Sequence, residues 1–166
     1  MKGSSNTNRV TNIRFEGITF SYATNLDIDT RGGDIDLQSG QLLPNDPLPD
    51  PNYENQYKSI PRVANVRVES VQNINFERCN FIHLGSVGLD ICYSRDSTVR
   101  GCVFDDIGSN GIQVLGYVDN PNPTDSNQIT QNTLISNNYL SNCGVTNAGA
   151  VGIMAGYTQG TTIIHN

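Results

Sequence analysis

Several carboxylates in this chain sit at one recurring position. In "DIDLQ", Asp34, Asp36 and Gln38 alternate with Ile35 and Leu37; in "GLDIC", Asp90 lies between Leu89 and Ile91. In "GIQVL" that place is taken by Gln113, in "GIMAG" by Met154 and in "NVRVE" by Arg67. Successive strand residues face opposite sides, so apolar neighbours turned to a core send these side chains the other way. If the strands stack in one sheet, Asp36, Asp90 and Gln113 line one polar face. Parallel strands lie about 4.8 Å apart, which puts carboxylates on adjacent rungs about 5 Å apart and those two rungs apart about 10 Å. Acid–base cleavage of a glycosidic bond needs paired carboxylates about 5–5.5 Å apart for retention or about 6.5–9.5 Å for inversion. A stacked sheet can supply either spacing. Solvated surface aspartate is the plain alternative for each taken alone.

A second group lies in "CVFDDIGSNG", where Asp105 and Asp106 precede a glycine-containing turn. Turn capping explains such aspartates without any chemistry. Asp105 is expected to face inward or sit at a bend, and Asp106 to face outward. His83 is one of two histidines and is a candidate acid, base or sugar contact; an inert turn histidine is the alternative. Glu16 and Glu77 occupy matching places in "RFEG" and "NFER", which suggests a scaffold role paired with Arg14 or Arg78. No Ser-His-Asp order, phosphate loop or EF-hand is legible. A calcium-dependent lyase would need clustered aspartates and a base, for which Arg67 or Arg95 would have to serve.

What positions these residues is a repeat. "NINFERCNFIHLGSVGLDIC" aligns with "STVRGCVFDDIGSNGIQVL" at one constant offset, with Cys79 on Cys102, Phe81 on Phe104 and Leu89 on Ile112. Val66 falls on Leu89 by the same offset. The pattern returns with insertions, which lengthen the offset: Phe15 falls on Phe76 and Phe20 on Phe81, Leu140 on Phe104, and Ile153 on Ile112. Each unit holds short alternating runs closed by Gly, Asn or Asp, with no sustained helical period. A unit of about 23 residues cannot bury its own apolar face but can do so against a neighbour. The Leu/Asn consensus of leucine-rich repeats is absent. The expected fold is all-β: a right-handed parallel β-helix, one domain over residues 1–166, with ladders of like residues as its core. Residues 38–61 and 117–127 are expected loop insertions, where binding groups often sit. Gln38 and Tyr117, together with Gln113 and His83, are the candidate substrate contacts.

Composition agrees. Charged residues make up 16%, Gly number 16 and Pro 7, and Trp is absent, which favours strands and tight turns over helical bundles. The net charge of −6, without a Lys/Arg cluster, argues against a nucleic-acid partner. No apolar run approaches the roughly 18 residues that cross a membrane, and "MKGSSNTNRV" lacks the apolar core of a signal peptide. The four cysteines, Cys79, Cys92, Cys102 and Cys143, show no zinc spacing. Stacked in a ladder they are expected to pack as small apolar residues rather than as disulfides.

Four stretches, "NIRFEGITF", "DIDLQSGQ", "VRVESVQNINFERCNFIHLG" and "NCGVTNAGAVGIMAGYTQGTTIIHN", follow in order and cover most of the chain from Asn12. Together they resemble secreted β-helix proteins of the carbohydrate-active kind, and glycoside hydrolase family 141 in particular. The resemblance implies a right-handed β-helix, a secreted, extracellular or periplasmic setting, and hydrolysis of plant or host glycans, fucosidase and xylanase being activities of that family. It assigns no catalytic pair. On the residue pattern, Asp36 and Asp90 are the first expected catalytic carboxylates, with Asp34 and Asp106 next. No cofactor is expected, calcium excepted in the lyase reading. A non-catalytic glycan-binding or tailspike-like β-helix is the competing class. With no Trp, Tyr22, Tyr93, Tyr117 and Tyr157 are the aromatic candidates for sugar stacking. Finally, "GTTIIHN" repeats "NTLISNN" with Ile163 on Ile135, so it is expected to open another coil of a longer solenoid, whose bare edge invites edge or end-to-end association.

Overall fold

The computed structural model describes residues 1–25, 35–37, 39–44, 57–115 and 125–166. The chain is all-β, and its strands run in sequence as successive turns of one pattern. The first turn supplies β1 (Val10–Glu16) and β2 (Thr19–Ala23). An insertion follows, containing β3 (Ile35–Leu37), β4 (Gly40–Pro44) and β5 (Tyr57–Pro61). The second turn is β6 (Ala64–Glu69), β7 (Val71–Glu77) and β8 (Asn80–Leu84); the third is β9 (Val87–Cys92), β10 (Thr98–Arg100) and β11 (Val103–Ile107). The fourth comprises β12 (Ile112–Leu115), β13 (Thr130–Gln131), β14 (Leu134–Ser136) and β15 (Tyr139–Cys143). The last described strands are β16 (Ile153–Gly156), β17 (Thr158–Gln159) and β18 (Thr162–Ile164).

Corresponding strands hydrogen-bond in parallel. One sheet runs β1-β7-β10-β14-β18, a second β2-β8-β11-β15 and a third β6-β9-β12-β16. Residues Met1 to Gly3 lie along β6, where Gly3 N–H donates to the Glu69 carbonyl at 2.9 Å. The offsets found in the sequence are the observed registers: Phe15 faces Phe76, Phe20 and Phe104 both face Phe81, Leu140 faces Phe104, and Ile163 faces Ile135. Val66, Leu89, Ile112 and Ile153 form one continuous row.

Like residues stack because each occupies the same place in its turn. The Phe81 and Phe104 rings lie parallel with centroids 4.5 Å apart, and Phe20 stacks on Phe81 at 4.9 Å. Leu89, Ile91, Ile112 and Val114 are fully buried in the same cluster. Each such side chain contributes about 1.5–3 kcal/mol on burial, so the core is a column running along the stack. Cys79, Cys92 and Cys102 are buried free thiols and Cys143 a half-buried one. Burial pushes Cys92 up to about 12 and Cys102 up to about 11, which keeps both as thiols at neutral pH.

Left-handed backbone recurs in columns too. Asn12, Asn73, Asp96, Asn132 and Gly160 all have positive φ at successive equivalent positions, a conformation that Asn, Asp and Gly tolerate best. A second column is Tyr22, His83, Asp106 and Asn142. There the left-handed residue is an extra one inside the strand: Phe104 and Ile107 both reach the core although three steps apart. This decides the two adjacent aspartates: Asp106 faces outward as expected, and of the two places expected for Asp105 the inward one is not taken. Asp105 is half-buried beside the ladder and accepts a hydrogen bond from Asn142 Nδ2 at 2.9 Å.

The 38–61 insertion also differs from a plain loop excursion. Its ends are strands, and β3, β4 and β5 pair antiparallel. Asp36 lies opposite Gln41 in that small sheet and is not a rung of the parallel stack. Alternation alone cannot tell the two apart, because "DIDLQ" and "GLDIC" have the same pattern.

Candidate functional site

The sequence-derived residues separate into two sites. Asp34, Gln38 and Tyr117 lie outside the described residues. The others fall on two faces of the stack, one covered and one open.

The covered face belongs to the third sheet. Arg67, Asp90, Gln113 and Met154 occupy one row, as alternation predicts. Arg67 at one end of the row is exposed and Met154 half-buried, but Asp90 and Gln113 between them do not line a solvent-exposed polar face. Asp90 is 1% and Gln113 0% exposed, and the insertion and the residue after it reach this face through the Ser39 and Arg62 carbonyls. Ser39 and Gln41 from that insertion, and Arg62 directly after it, are themselves buried. Gln113 Nε2 donates to the Arg62 carbonyl at 3.4 Å, and Asn110 Nδ2 bridges the Ser39 carbonyl (2.9 Å) and Gln113 Oε1 (3.2 Å). Arg62 Nη2 pairs with Asp36 Oδ1 at 3.0 Å. The other Asp36 oxygen accepts from the Gly149 N–H, and the Gly149 carbonyl accepts from the Ser39 N–H at 2.9 Å. Asp36 and Asp90 are therefore parts of one network linked through Arg62 and Gln113. Within it, Asp36 pins the insertion to residue 149.

Asp90 is the electrostatic outlier. Burial raises its pKa from 3.8 to about 6, against the opposing pull of Arg67 and a hydrogen bond from Gln113. The Arg67 Nε lies 3.4 Å from Asp90 Oδ2, while Oδ1 has no hydrogen-bond partner among the described residues. Burial disfavours the Arg67 cation, but Asp90 and its acidic neighbours outweigh that and raise its pKa. An acid titrating near 6 suits proton transfer. A glycan cannot reach this one in the observed arrangement.

The open face belongs to the second sheet. The registers of β2 and β11 on β8 bring Tyr22, His83 and Asp106 into one column at the left-handed position. That backbone turn sends all three outward. The Tyr22 ring, 82% exposed, stacks on the His83 imidazole with centroids 5.1 Å apart and planes 25° apart. His83 Nδ1 lies 2.7 Å from Asp106 Oδ2. An ionised Asp106 thus holds the Nδ1–H tautomer and leaves Nε2 as an acceptor. These three residues line an open pocket of about 380 Å³, whose wall is completed by Gly85, Gly108, Val145 and Thr146. A Cβ on Gly108 would lie 2.2 Å from the Gly85 carbonyl oxygen, so only glycine permits the two turns to approach beneath the pocket.

Sequence reading found His83 and Asp106 but did not join Tyr22 to them. The signal was present, since the offset that pairs Phe20 with Phe81 also pairs Tyr22 with His83. The covering residues Arg62, Asn110 and Gln41 were missed. Glu16 and Glu77 do form a scaffold cluster with Arg14 and Arg78, joined by Arg100 at 2.9 Å from Glu77. Among the described residues no three His, Cys, Asp or Glu side chains converge as a metal site. Among the described residues, too, no helix is long and apolar enough to cross a membrane.

No protein-family model matches the chain, and no curated protein matches it. A solved structure named glycoside hydrolase superimposes with a TM-score of 0.82 and 34% identity over 98% of this chain. The chain spans 30% of that protein's length. The likeness is one of sequence as well as fold: the chain is similar to a part of that protein.

Proposed function

We propose that the chain is part of a right-handed parallel β-helix of a glycan-processing hydrolase, acting outside the cytoplasm, and that it meets sugar at the Tyr22–His83–Asp106 face. The observation that carries this reading is the exposed Tyr22 ring, held by His83 beside a solvent-open carboxylate in a pocket. An aromatic ring offers its face to the apolar C–H side of a sugar, and the imidazole and carboxylate satisfy the hydroxyls at its edge. The likeness to a glycoside hydrolase supports the same substrate class.

Within this reading Asp106, about half exposed where Asp90 is buried and Asp36 is paired with Arg62, is the carboxylate offered to a glycan. His83, oriented by Asp106, accepts a proton or a sugar hydroxyl at Nε2. Hydrolysis calls for a second carboxylate across the scissile bond. Asp90 serves instead as a buried support for the sheet and its cover, and Gln113 joins the two.

The test combines a glycan array with a reducing-sugar assay on wild type, Tyr22→Ala and Asp106→Asn. Binding that falls about tenfold in Tyr22→Ala, with turnover lost in Asp106→Asn, supports a hydrolase site here. Binding without turnover, unchanged by Asp106→Asn, would move the chain to the non-catalytic glycan-binding class. Calcium-dependent release of unsaturated products would indicate a lyase.

A further inference from the structure

A second pocket lies where the first sheet begins. Thr11, Gln72, Arg95 and Gln131 occupy one row across successive turns. The row is flanked by Arg9 and by the turn containing Asn127. Thr11, Gln72, Arg95, Arg9 and Asn127, with Asn6 and Asn8 from the N-terminal segment, line a cavity of about 420 Å³.

Two guanidinium groups converge there. Arg9 Nη2 donates to the Asn127 carbonyl at 3.1 Å, and Arg95 Nη2 donates to the Asn127 side-chain oxygen at 3.1 Å. Arg9 Nη1 donates to the Tyr93 carbonyl. All of these acceptors are neutral. The carboxylates nearby are engaged by amides: Asp125 accepts from Asn127 N and Nδ2 at 2.8 and 2.9 Å, and Asp96 from Gln72 and Asn132 at 3.1 Å each. Arg95 Nε is buried without a hydrogen-bond acceptor among the described residues. The pair is also strained electrostatically as it stands: burial and then the Arg95 charge lower the Arg9 pKa, with Asp125 only partly offsetting them. In a chain of net charge −6, the other arginines around Glu16, Glu77, Glu69, Asp90 and Asp36 have carboxylate partners.

We infer that Arg9 and Arg95 form an oxyanion-binding site for a sulfate or carboxylate group, with Gln72, Thr11 and the Asn6 and Asn8 amides as neutral hydrogen-bonding walls. Two planar guanidinium forks beside neutral donors match a tetrahedral sulfate or a planar carboxylate. The group can be borne on an acidic glycan or be a free inorganic anion. The site stands on different sheet elements from the Tyr22 pocket and does not depend on it.

Calorimetric titration of the full chain tests this at constant ionic strength, with sodium sulfate, a sulfated oligosaccharide, an oligogalacturonate and a neutral oligosaccharide as probes. Sulfate or one of the acidic sugars is expected to bind saturably, with affinity falling at least about tenfold in Arg95→Gln and in Arg9→Gln. Both arginines also hold neighbouring groups, so Gln72→Glu provides a further variant. It keeps both cations but adds a negative charge to the wall, and it should abolish anion binding while the fold persists by circular dichroism. Tighter binding of an acidic oligosaccharide than of sulfate identifies the glycan as the source; equal binding identifies the free anion. No saturable binding of any anion, or binding equal in wild type and all three variants, overturns the inference.

Discussion

The polar rows on the second and third sheets have opposite fates. On the third sheet alternation turns the row away from the core; on the second, the extra left-handed residue in each strand does so. The Asp90–Gln113 row is sealed beneath the insertion, whereas the Tyr22–His83–Asp106 row is left in solvent. A stack of repeated turns makes many polar rows, because each new turn repeats the register of the last. Which row becomes a site depends on parts that do not repeat. Here Ser39, Gln41 and Arg62, which belong to no repeat, close one row, while the other, with its repeated left-handed residues, stays in solvent.

That contrast can be broken from either side, and the largest effect is expected at the cover. Arg62 is almost wholly buried against Asp36. Arg62→Ala should destabilise the protein by on the order of 3 kcal/mol, because it strands a largely buried carboxylate. Urea denaturation measures this, and amide exchange should show β4 and β5 losing protection first. A loss under about 0.5 kcal/mol would mean that the insertion is not held by this pair.

Next comes the pH dependence of the covered row. The folded pKa of Asp90 is raised, from 3.8 to about 6, so its contribution is complete below the unfolded value and is lost as pH rises through the folded one. Stability should fall between about pH 4 and pH 6 by up to roughly 3 kcal/mol from this group. Asp90→Asn should remove that slope and be more stable than wild type at pH 7. Denaturation midpoints across this range decide it, and a slope unchanged in Asp90→Asn would place the titration elsewhere.

The registers are legible in the sequence because like residues stack on like. Phe20 over Phe81 over Phe104, and Leu89 over Ile112 over Ile153, are written in the spacing itself. The Arg67–Asp90–Gln113 row was legible for the same reason. Its burial was not, because the lid comes from a segment outside the repeat. Asp36 misled for a related reason: an antiparallel hairpin strand and a stacked rung alternate alike. The bulge at His83 and Asp106 was hidden because His, Asp and Tyr do not announce left-handed backbone as glycine does. Pairing Tyr22 with His83 needed only the Phe20–Phe81 offset carried two positions further.

The smallest stability effects belong to the open row. Tyr22→Ala and His83→Ala should each change folding stability by no more than about 0.5 kcal/mol, since neither side chain is buried. Thermal melts check this. A larger loss would mean that the stacked pair supports the fold rather than a ligand.

The central claim is that sugar is taken at the open row and not at the covered one. Its most direct test is one calorimetric comparison, at a single pH, of oligosaccharide binding by wild type, Tyr22→Ala and Asp90→Asn. The expected result is affinity weakened about tenfold or more in Tyr22→Ala and preserved in Asp90→Asn. Affinity preserved in Tyr22→Ala and lost in Asp90→Asn would contradict the account and return the site to the row beneath the insertion.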